Sequence, residues 1–267
     1  MSRLVRAELL KLRTVRTTYG LLVAAALLTA SLAASAASNT PPAGSGDQAL
    51  ASTFSSAVTS TGWAMLFAMV MGVIASSGEF RHSTATVTFL AGPRRERVLA
   101  AKAAAAAVVG AIFGLTGAVV ATGVGLASTS AAGNPITLSA ATLVRDDLGT
   151  VLGAALLAAL GVAVGSLIRP QVAGITGILI WSLIIEPIIG GLFTTTQPYL
   201  PYTAATTLAG VKPGAGSGGV HVSVNHGGTA AVAPAPLPFG AVVALLGALV
   251  IAVSVIAARS RLRADIT

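Results

Sequence analysis

Hydrophobic residues along the chain fall into six long apolar runs, and short polar segments separate most of them. A helix needs about 20 apolar residues to cross the hydrocarbon core of a bilayer, and each run reaches or approaches that length. The pattern therefore predicts an all-α membrane protein, with six transmembrane helices in one domain that covers residues 1–267. The predicted spans are 19–37, 57–77, 103–127, 148–168, 172–193 and 237–258.

The composition agrees with this prediction, because 54% of the residues are hydrophobic and only 9% are charged. No segment is polar enough to form a soluble domain of useful size. The absence of cysteine excludes disulfides, thiolate metal sites and cysteine nucleophiles. Arginine outnumbers lysine 13 to 3 and alanine is abundant, which is typical of a high-GC bacterial genome, so we expect a bacterial plasma membrane protein.

The basic residues lie at the ends of the apolar runs, and they fix the predicted orientation. The N-terminal segment, the segment between spans 2 and 3, the turn between spans 4 and 5 and the C-terminal tail together hold 14 of the 16 basic residues. The three opposite loops hold only Arg145 and Lys212. The positive-inside rule therefore places both termini in the cytoplasm. The same distribution argues against nucleic-acid binding, which needs a basic face with interleaved aromatic residues.

Residues 1–17 form a basic amphipathic segment. On a helical wheel the apolar residues share one arc and arginines lie opposite, which predicts an interfacial helix on the membrane surface. The apolar run that follows is as long as a full span, so we interpret it as a retained first span; a signal peptide cleaved near residues 34–36 is the alternative. The arc consists of Leu4, Val5, Leu9, Leu12 and Val15, with Arg3, Arg6 and Arg13 opposite and Lys11 and Arg16 at its flanks.

Glu8 falls inside the apolar arc of this segment, where a carboxylate needs a partner. Two interpretations are open. In the first, Glu8 pairs with a neighbour such as Lys11 in the headgroup zone. In the second, it meets a basic group of the segment that follows span 2.

The segment between spans 2 and 3, residues 78–102, is a polar island in an otherwise apolar region and holds five of the 16 basic residues. Gly92-Pro93 divides it, because glycine ends helices and proline favours the first position of the next one. Residues 81–91 are therefore a candidate short cytoplasmic helix, and the second half runs into span 3. The first half is rich in β-branched residues, so this helix needs a partner surface to hold it.

Glu186 is an ionisable residue inside a predicted span, away from the span ends. A carboxyl group in hydrocarbon costs roughly 2 to 3 kcal/mol, so it is expected to face protein or a water-filled cavity. Pro187 beside it removes a helical hydrogen bond and predicts a kinked or divided helix. Glu186 and Pro187 are thus candidates for a pathway or gate; the alternative is a glutamate near the outer interface.

Small residues recur at helical spacing in two spans. Gly110 with Gly114, and Gly161 with Gly165, both form G-x-x-x-G pairs, which allow helices to approach closely. The pairs are interpreted either as contacts within the chain, which we favour, or as a subunit interface.

The segment 194–236 is rich in Gly, Pro, Ser and Thr and is predicted to be a mostly irregular outer loop, with a short helix near residues 202–208. His221 and His226 lie in it at a spacing that suits weak metal binding. A third ligand is missing from the pattern, so a solvated loop is favoured and no metal site is predicted.

Catalytic signatures are absent from the sequence. It contains no H-E-x-x-H zinc motif, no G-x-S-x-G nucleophile motif and no G-x-x-x-x-G-K-[ST] phosphate loop. We therefore expect that the chain is not an enzyme, and that any ATP hydrolysis linked to it takes place on another polypeptide.

Several short motifs, in order along nearly the whole chain, resemble the membrane subunit of ABC-2 type ABC transporters, a permease family of exporters. The resemblance rests on their order and spacing more than on any single one. The motifs are Arg6 to Arg13 (RAELLKLR), Gly78 to His82 (GEFRH), Thr88 to Arg95 (TFLAGPRR) with Arg97 and Lys102, Trp181 to Pro187 (WSLIIEP) and Tyr199 to Pro201 (YLP).

The resemblance implies that residues 1–17 are an interfacial helix, with Glu8, Lys11 and Arg13, and that residues 78–102 contain a coupling helix that docks on an ATP-binding subunit. It also implies a second permease copy or paralogue, with ATP and Mg²⁺ on the partner and no cofactor here. Apolar anchors and arginines suit such docking; the alternative is that the arginines only anchor the loop to anionic membrane lipids. The implied coupling residues are Glu79, Arg81, Val87, Phe89, Leu90, Arg94, Arg95 and Arg97.

The function that the resemblance implies is that of a transport subunit, which forms a path across the membrane and couples to a separate ATP-binding subunit. For this function, the scarcity of polar residues in the spans favours a hydrophobic or amphiphilic cargo.

A second functional class is open on the sequence alone. A long outer loop and a single buried carboxyl suit a membrane scaffold or regulatory subunit without a pathway of its own.

Overall fold

The computed structural model describes residues 2–38, 57–81, 95–134, 139–168, 170–212 and 235–264, and these residues contain helices and turns but no strand. The helices are α1 (Ser2–Thr14), α2 (Arg16–Ala37), α3 (Thr61–Arg81), α4 (Arg95–Ala131), α5 (Ala140–Leu167), α6 (Gln171–Ile180), a π-helical turn (Trp181–Ile185), α7 (Glu186–Leu192), a 3₁₀ helix (Thr194–Tyr199), α8 (Pro201–Leu208) and α9 (Phe239–Ala264).

Six helical segments in this part of the chain are long and apolar enough to cross a membrane, which confirms the predicted number. The chain is thus an all-helical, multi-pass protein with six candidate spans. They are Arg16–Ala37, Ala57–Gly78, Glu96–Ala131, Ala140–Leu167, Gln171–Leu192 and Phe239–Arg259.

The start of α4 agrees with the sequence and the start of α5 does not. α4 begins at Arg95, so the second half of the polar island is helical and runs into span 3, as the sequence indicated. The prediction that residues 145–147 lie in a loop is wrong, because α5 begins at Ala140. The carbonyl of Ser139 accepts hydrogen bonds from the N–H groups of Thr142 and Leu143 in the first turn of α5. The Asp147 carboxylate accepts a 2.8 Å bond from the Thr122 hydroxyl in α4, so this carboxylate has a partner within the bundle.

α3 and α5 form the centre of the bundle. Both are buried over most of their length, whereas α2, the α6–α7 unit and α9 are buried over less than a quarter. α4 packs against both central helices, α2 packs on α3 and α4, α6 packs on α3, and α9 packs on α5. The peripheral helices therefore present most of the large exposed apolar side chains, such as Leu27, Val172 and Ile251.

Glycines let the central helices approach until backbone meets backbone. A methyl group on Gly161 would overlap the carbonyl oxygen of Met69, and one on Gly72 would overlap the carbonyl oxygen of Ala158. Gly110 and Gly114 of α4 lie against the backbone of α5 in the same way, and Gly165 lies against α3. Both G-x-x-x-G pairs thus make contacts within the chain, as favoured from the sequence.

The fifth span is divided, and the chain then folds back. The Glu186 N–H donates to the carbonyl of Trp181, five residues earlier, which defines the π-helical turn. Such turns and proline are the usual causes of a break, and Pro187 follows directly. The predicted helix at 202–208 is confirmed as α8, which packs on α5 and α9, but residues 194–199 form a 3₁₀ helix rather than irregular structure. His221 and His226 lie outside the described residues.

Candidate functional site

The first candidate site lies where α1 meets the bundle, at the end that carries the polar island, hereafter the island end. α1 packs mainly on α4. Leu12 is buried and Val5 and Leu9 are partly buried in this contact, while Arg6 and Arg13 are exposed on the other side. The predicted apolar arc therefore rests on protein over its central part.

Glu8 is buried in this contact and joins two lysines. Its Oε1 lies 2.7 Å from Nζ of Lys11, one turn further along α1, and its Oε2 lies 3.3 Å from Nζ of Lys102 in α4. The Lys102 ammonium also donates to the carbonyl oxygen of Ala75 in α3, at 3.3 Å. Both interpretations of Glu8 are thus realised at once, because Lys102 is the last residue of the polar island.

This junction ties three helices together through charged groups. The Lys102 side chain is 6% exposed and that of Glu8 is 10% exposed, whereas Lys11 is 49% exposed. A buried ammonium is costly unless it is paired and hydrogen-bonded, so Glu8 and Ala75 stabilise Lys102 where it stands. The middle of α1 is consequently tied to α3 and α4 within two turns of the polar island.

The predicted coupling residues are described only in part. Arg97 is exposed on the first turn of α4, and Arg95 begins that helix. Glu79 and Arg81 lie on the last turn of α3, and the structure describes only their backbone. Residues 82–91 of the predicted short helix lie outside the described part of the chain. The same is true of the remaining coupling residues, which are Val87, Phe89, Leu90 and Arg94.

The second candidate site surrounds Glu186, at the opposite end of the bundle, hereafter the loop end. Glu186 is 1% exposed. Its Oε1 accepts hydrogen bonds from Nε1 of Trp181 at 2.8 Å and from the backbone N–H of Tyr202 at 3.0 Å. Its Oε2 accepts from the backbone N–H and the hydroxyl of Thr203, at 2.9 and 3.1 Å.

These donors make Glu186 the N-terminal cap of α8. Pro201, Tyr202 and Thr203 are the first three residues of that helix, and proline has no N–H to satisfy. The carboxylate receives the next two N–H groups, at the end of the helix where a negative charge is favoured. Both oxygens of the buried carboxyl group thus accept hydrogen bonds from amide, indole or hydroxyl donors.

Glu186 and Pro187 could be recognised as candidates from the sequence, whereas the donor roles of Tyr202 and Thr203 could not. A buried carboxyl followed some fifteen residues later by proline at a helix start was the available signal. Tyr202 is itself buried, and its hydroxyl has no hydrogen-bond partner among the described residues. Burial and the nearby Glu186 carboxylate raise the pKa of Tyr202, so its phenol remains protonated.

The described residues contain no group of three His, Cys, Asp or Glu side chains that could hold a metal ion. No protein-family model matches the sequence, and the search of curated proteins found no match. The two sites are therefore interpreted from their own geometry: one links helix ends on both sides of the polar island, and the other fixes a folded-back helix at the loop end.

Proposed function

We propose that the chain is the membrane-spanning permease subunit of an ATP-driven ABC exporter in a bacterial plasma membrane, with both termini in the cytoplasm. It would form the translocation path with a second copy or a paralogue. The observation that carries the proposal is the contact of Glu8 with Lys102, which joins the N-terminal helix to the end of the polar island.

The contact supports a coupling role for the island through simple mechanics. Residues 82–94 connect the end of α3 to the start of α4, so a force on them acts on both helices. Lys102 bonds to Ala75 of α3 and to Glu8 of α1, so the three helix ends respond together. A separate ATP-binding subunit that moves the island would thereby move spans 2 and 3.

Glu186 and Pro187 have a matching role in this proposal at the loop end. Because Glu186 holds the start of α8, and α8 packs on α5 and α9, this folded-back helix covers part of the loop end of the bundle. A path that opens at the loop end would require one of two changes. Either α8 moves together with span 5, or the hydrogen bonds between Glu186 and the start of α8 break. The weakly polar spans favour a hydrophobic or amphiphilic cargo.

One observation favours the second candidate function, a membrane scaffold or regulatory subunit. The donors to the Glu186 carboxylate are Trp181, Tyr202 and Thr203 of the chain itself, so this carboxylate already has a structural role. A scaffold would need the same cap and no pathway.

The experiment that separates the two functions is purification of the tagged chain from its native membrane in mild detergent, with mass spectrometry of stoichiometric partners. The permease proposal expects a soluble protein with a phosphate-binding loop to co-purify. Phe89→Asp should abolish that association, and Phe89→Leu, which keeps an apolar anchor, should preserve it.

A second arm tests coupling rather than binding. Lys102→Met should leave the ATP-binding partner attached but weaken the dependence of its ATPase activity on cargo. If the folded six-helix chain purifies without any ATP-binding partner, the permease proposal fails and the scaffold function replaces it.

A further inference from the structure

A cavity of about 490 Å³ opens at the island end, between α1, the start of α2 and the end of α3. The first residue of α6, Gln171, lies at its edge. The volume lies within the range of roughly 300–1,000 Å³ that ligand sites occupy in proteins. The cavity is separate from the Glu186 site, and it borders the Glu8 junction on the side of Lys11.

Polarity changes along the depth of this cavity. Thr17 and Thr18 of α2 and Gly78 of α3 line the same space, so α2 starts at the level where α3 ends. Leu21 lies one turn deeper on α2, and Met71 lies about 10 Å deeper than Gly78 on α3, since a helix rises about 1.5 Å per residue. The mouth is therefore polar and the floor apolar.

Basic residues lie at and beside the mouth. Lys11 lines it together with Glu8, to which it is paired, and Arg13 and Arg16 are exposed next to the lining residues Thr14 and Thr17. Val15 gives α2 no side-chain cap, so the positive end of that helix dipole also faces this region. Basic pockets between membrane helices on one face of a bilayer suit acidic headgroups.

We propose that this cavity binds one anionic phospholipid from the surrounding membrane. The phosphate lies at the mouth near Lys11 and Thr18, and the upper part of one acyl chain enters between Leu21 of α2 and Met71 and Ile74 of α3. The rest of the lipid stays in the bilayer. The inference needs only the membrane location, so it holds for a permease and for a scaffold.

The class of ligand follows from the lining, which is polar and basic at the mouth of the cavity and apolar at its floor. A water-soluble anion would leave the apolar floor empty, and a neutral hydrocarbon would leave the basic mouth unused. An anionic amphiphile satisfies both ends, and the membrane next to α2 supplies phospholipids in excess. Burial of the acyl chain against Met71 and Ile74 contributes the hydrophobic part of the binding free energy.

The test uses the full chain reconstituted in phosphatidylcholine vesicles with a small fraction of photoactivatable phosphatidylglycerol, and in parallel with photoactivatable phosphatidylcholine. After illumination, labelled residues are located by mass spectrometry. The proposal expects phosphatidylglycerol to label residues 14–21 and 71–78 well above the lipid-exposed faces of α4 and α9. Equal labelling by both lipids, or labelling spread evenly over the exposed helices, would overturn it.

A matched pair of variants tests the cavity itself. A β-carbon added at Gly78 meets no atom within 4 Å, and Gly78 lines the cavity, so the leucine of Gly78→Leu takes up space in it. Gly177→Leu is the control, because Gly177 on α6 has the same free space but does not line the cavity. Labelling should fall about tenfold in Gly78→Leu and stay unchanged in Gly177→Leu. Equal labelling of the two variants would exclude the cavity as the site.

A third arm tests the headgroup contact. Lys11→Gln should reduce the preference for phosphatidylglycerol over phosphatidylcholine, and Arg6→Gln, which alters an exposed arginine of α1 that does not line the cavity, should leave that preference unchanged. If soluble glycerol 3-phosphate at millimolar concentration abolishes labelling of residues 14–21, the cavity is a site for a water-soluble phosphate and the lipid proposal is wrong.

Discussion

Glu186 binds Thr203 twice through one carboxylate oxygen, which accepts the backbone N–H at 2.9 Å and the side-chain hydroxyl at 3.1 Å. The two residues belong to different helices on either side of a 3₁₀ helix. The contact therefore converts a chain reversal at the loop end into a fixed structure. A carboxylate that accepts several donors in this way is a helix cap supplied from a distance.

Glu186→Gln should destabilise the folded chain by about 1–3 kcal/mol, because an amide nitrogen would face the N–H of Thr203 in place of an acceptor oxygen. Trp181→Phe removes a single donor and should cost less, about 1 kcal/mol. Thermal unfolding in detergent and amide hydrogen exchange at Tyr202 and Thr203 would measure both. If Glu186→Gln matches the wild type in both measurements, the carboxylate is not the cap.

Replacement of Glu8 should lower the free energy of unfolding more than replacement of Lys11, the nearer of its two lysine partners. Glu8→Ala deprives the buried Lys102 of a carboxylate, which costs about 3–5 kcal/mol for a buried pair. Lys11→Ala removes a half-exposed ammonium and should cost less than about 1 kcal/mol. Unfolding of both variants, and of Glu8→Ala combined with Lys102→Met, would measure the coupling; a double variant no more stable than Glu8→Ala would argue against the pair.

Gly161→Ala should weaken the packing of α3 on α5, since its methyl group would overlap the carbonyl oxygen of Met69. The expected loss is about 1–3 kcal/mol, typical of an overpacked interior. Gly247→Ala in α9 is the control: nothing lies within 4 Å of the added carbon, and alanine favours a helix by up to about 1 kcal/mol over glycine. Unfolding temperatures that move in opposite directions would confirm the contact; a tolerated Gly161→Ala would refute it.

Thr122→Val should destabilise the loop end by about 1.5–3 kcal/mol, because the Thr122 hydroxyl donates to the Asp147 carboxylate across two helices. Thr116→Val is a matched control in the same helix. The Thr116 hydroxyl bonds only to the carbonyl of Ile112, one turn earlier, so its loss should have little effect. Comparable unfolding temperatures for the two variants would mean that the link between α4 and α5 contributes nothing.

The number and order of the spans could be predicted because hydrophobic runs of bilayer length leave few alternatives. Residues 145–147 show where that reasoning fails. Three consecutive charged residues lower the local hydropathy and suggest a loop, but the Thr122 hydroxyl, which is distant in sequence, accommodates Asp147 within the helix. Hydropathy measures only the average polarity of a segment and carries no information on such a partner.

The candidate sites could likewise be predicted only in part. A partner for Glu8 could be expected because a carboxylate inside an apolar arc needs one, yet the choice of Lys102 depends on how α1 packs on α4. The donors to Glu186 include backbone N–H groups, which every residue except proline carries. They become donors for this carboxylate only because the break in span 5 and the 3₁₀ helix return α8 to it.

The glycine contacts between α3 and α5 fix the axial register of the central pair. A slide by one turn would bring the β-carbon of Ala68 or Ser76 against the carbonyl oxygen of Ala158, at a point where only the hydrogen of Gly72 fits. The two helices are consequently expected to move as one rigid pair. Any movement of span 2 must then carry α3 and α5 together, and the less buried α2, α6–α7 unit and α9 are the helices that can tilt against this pair.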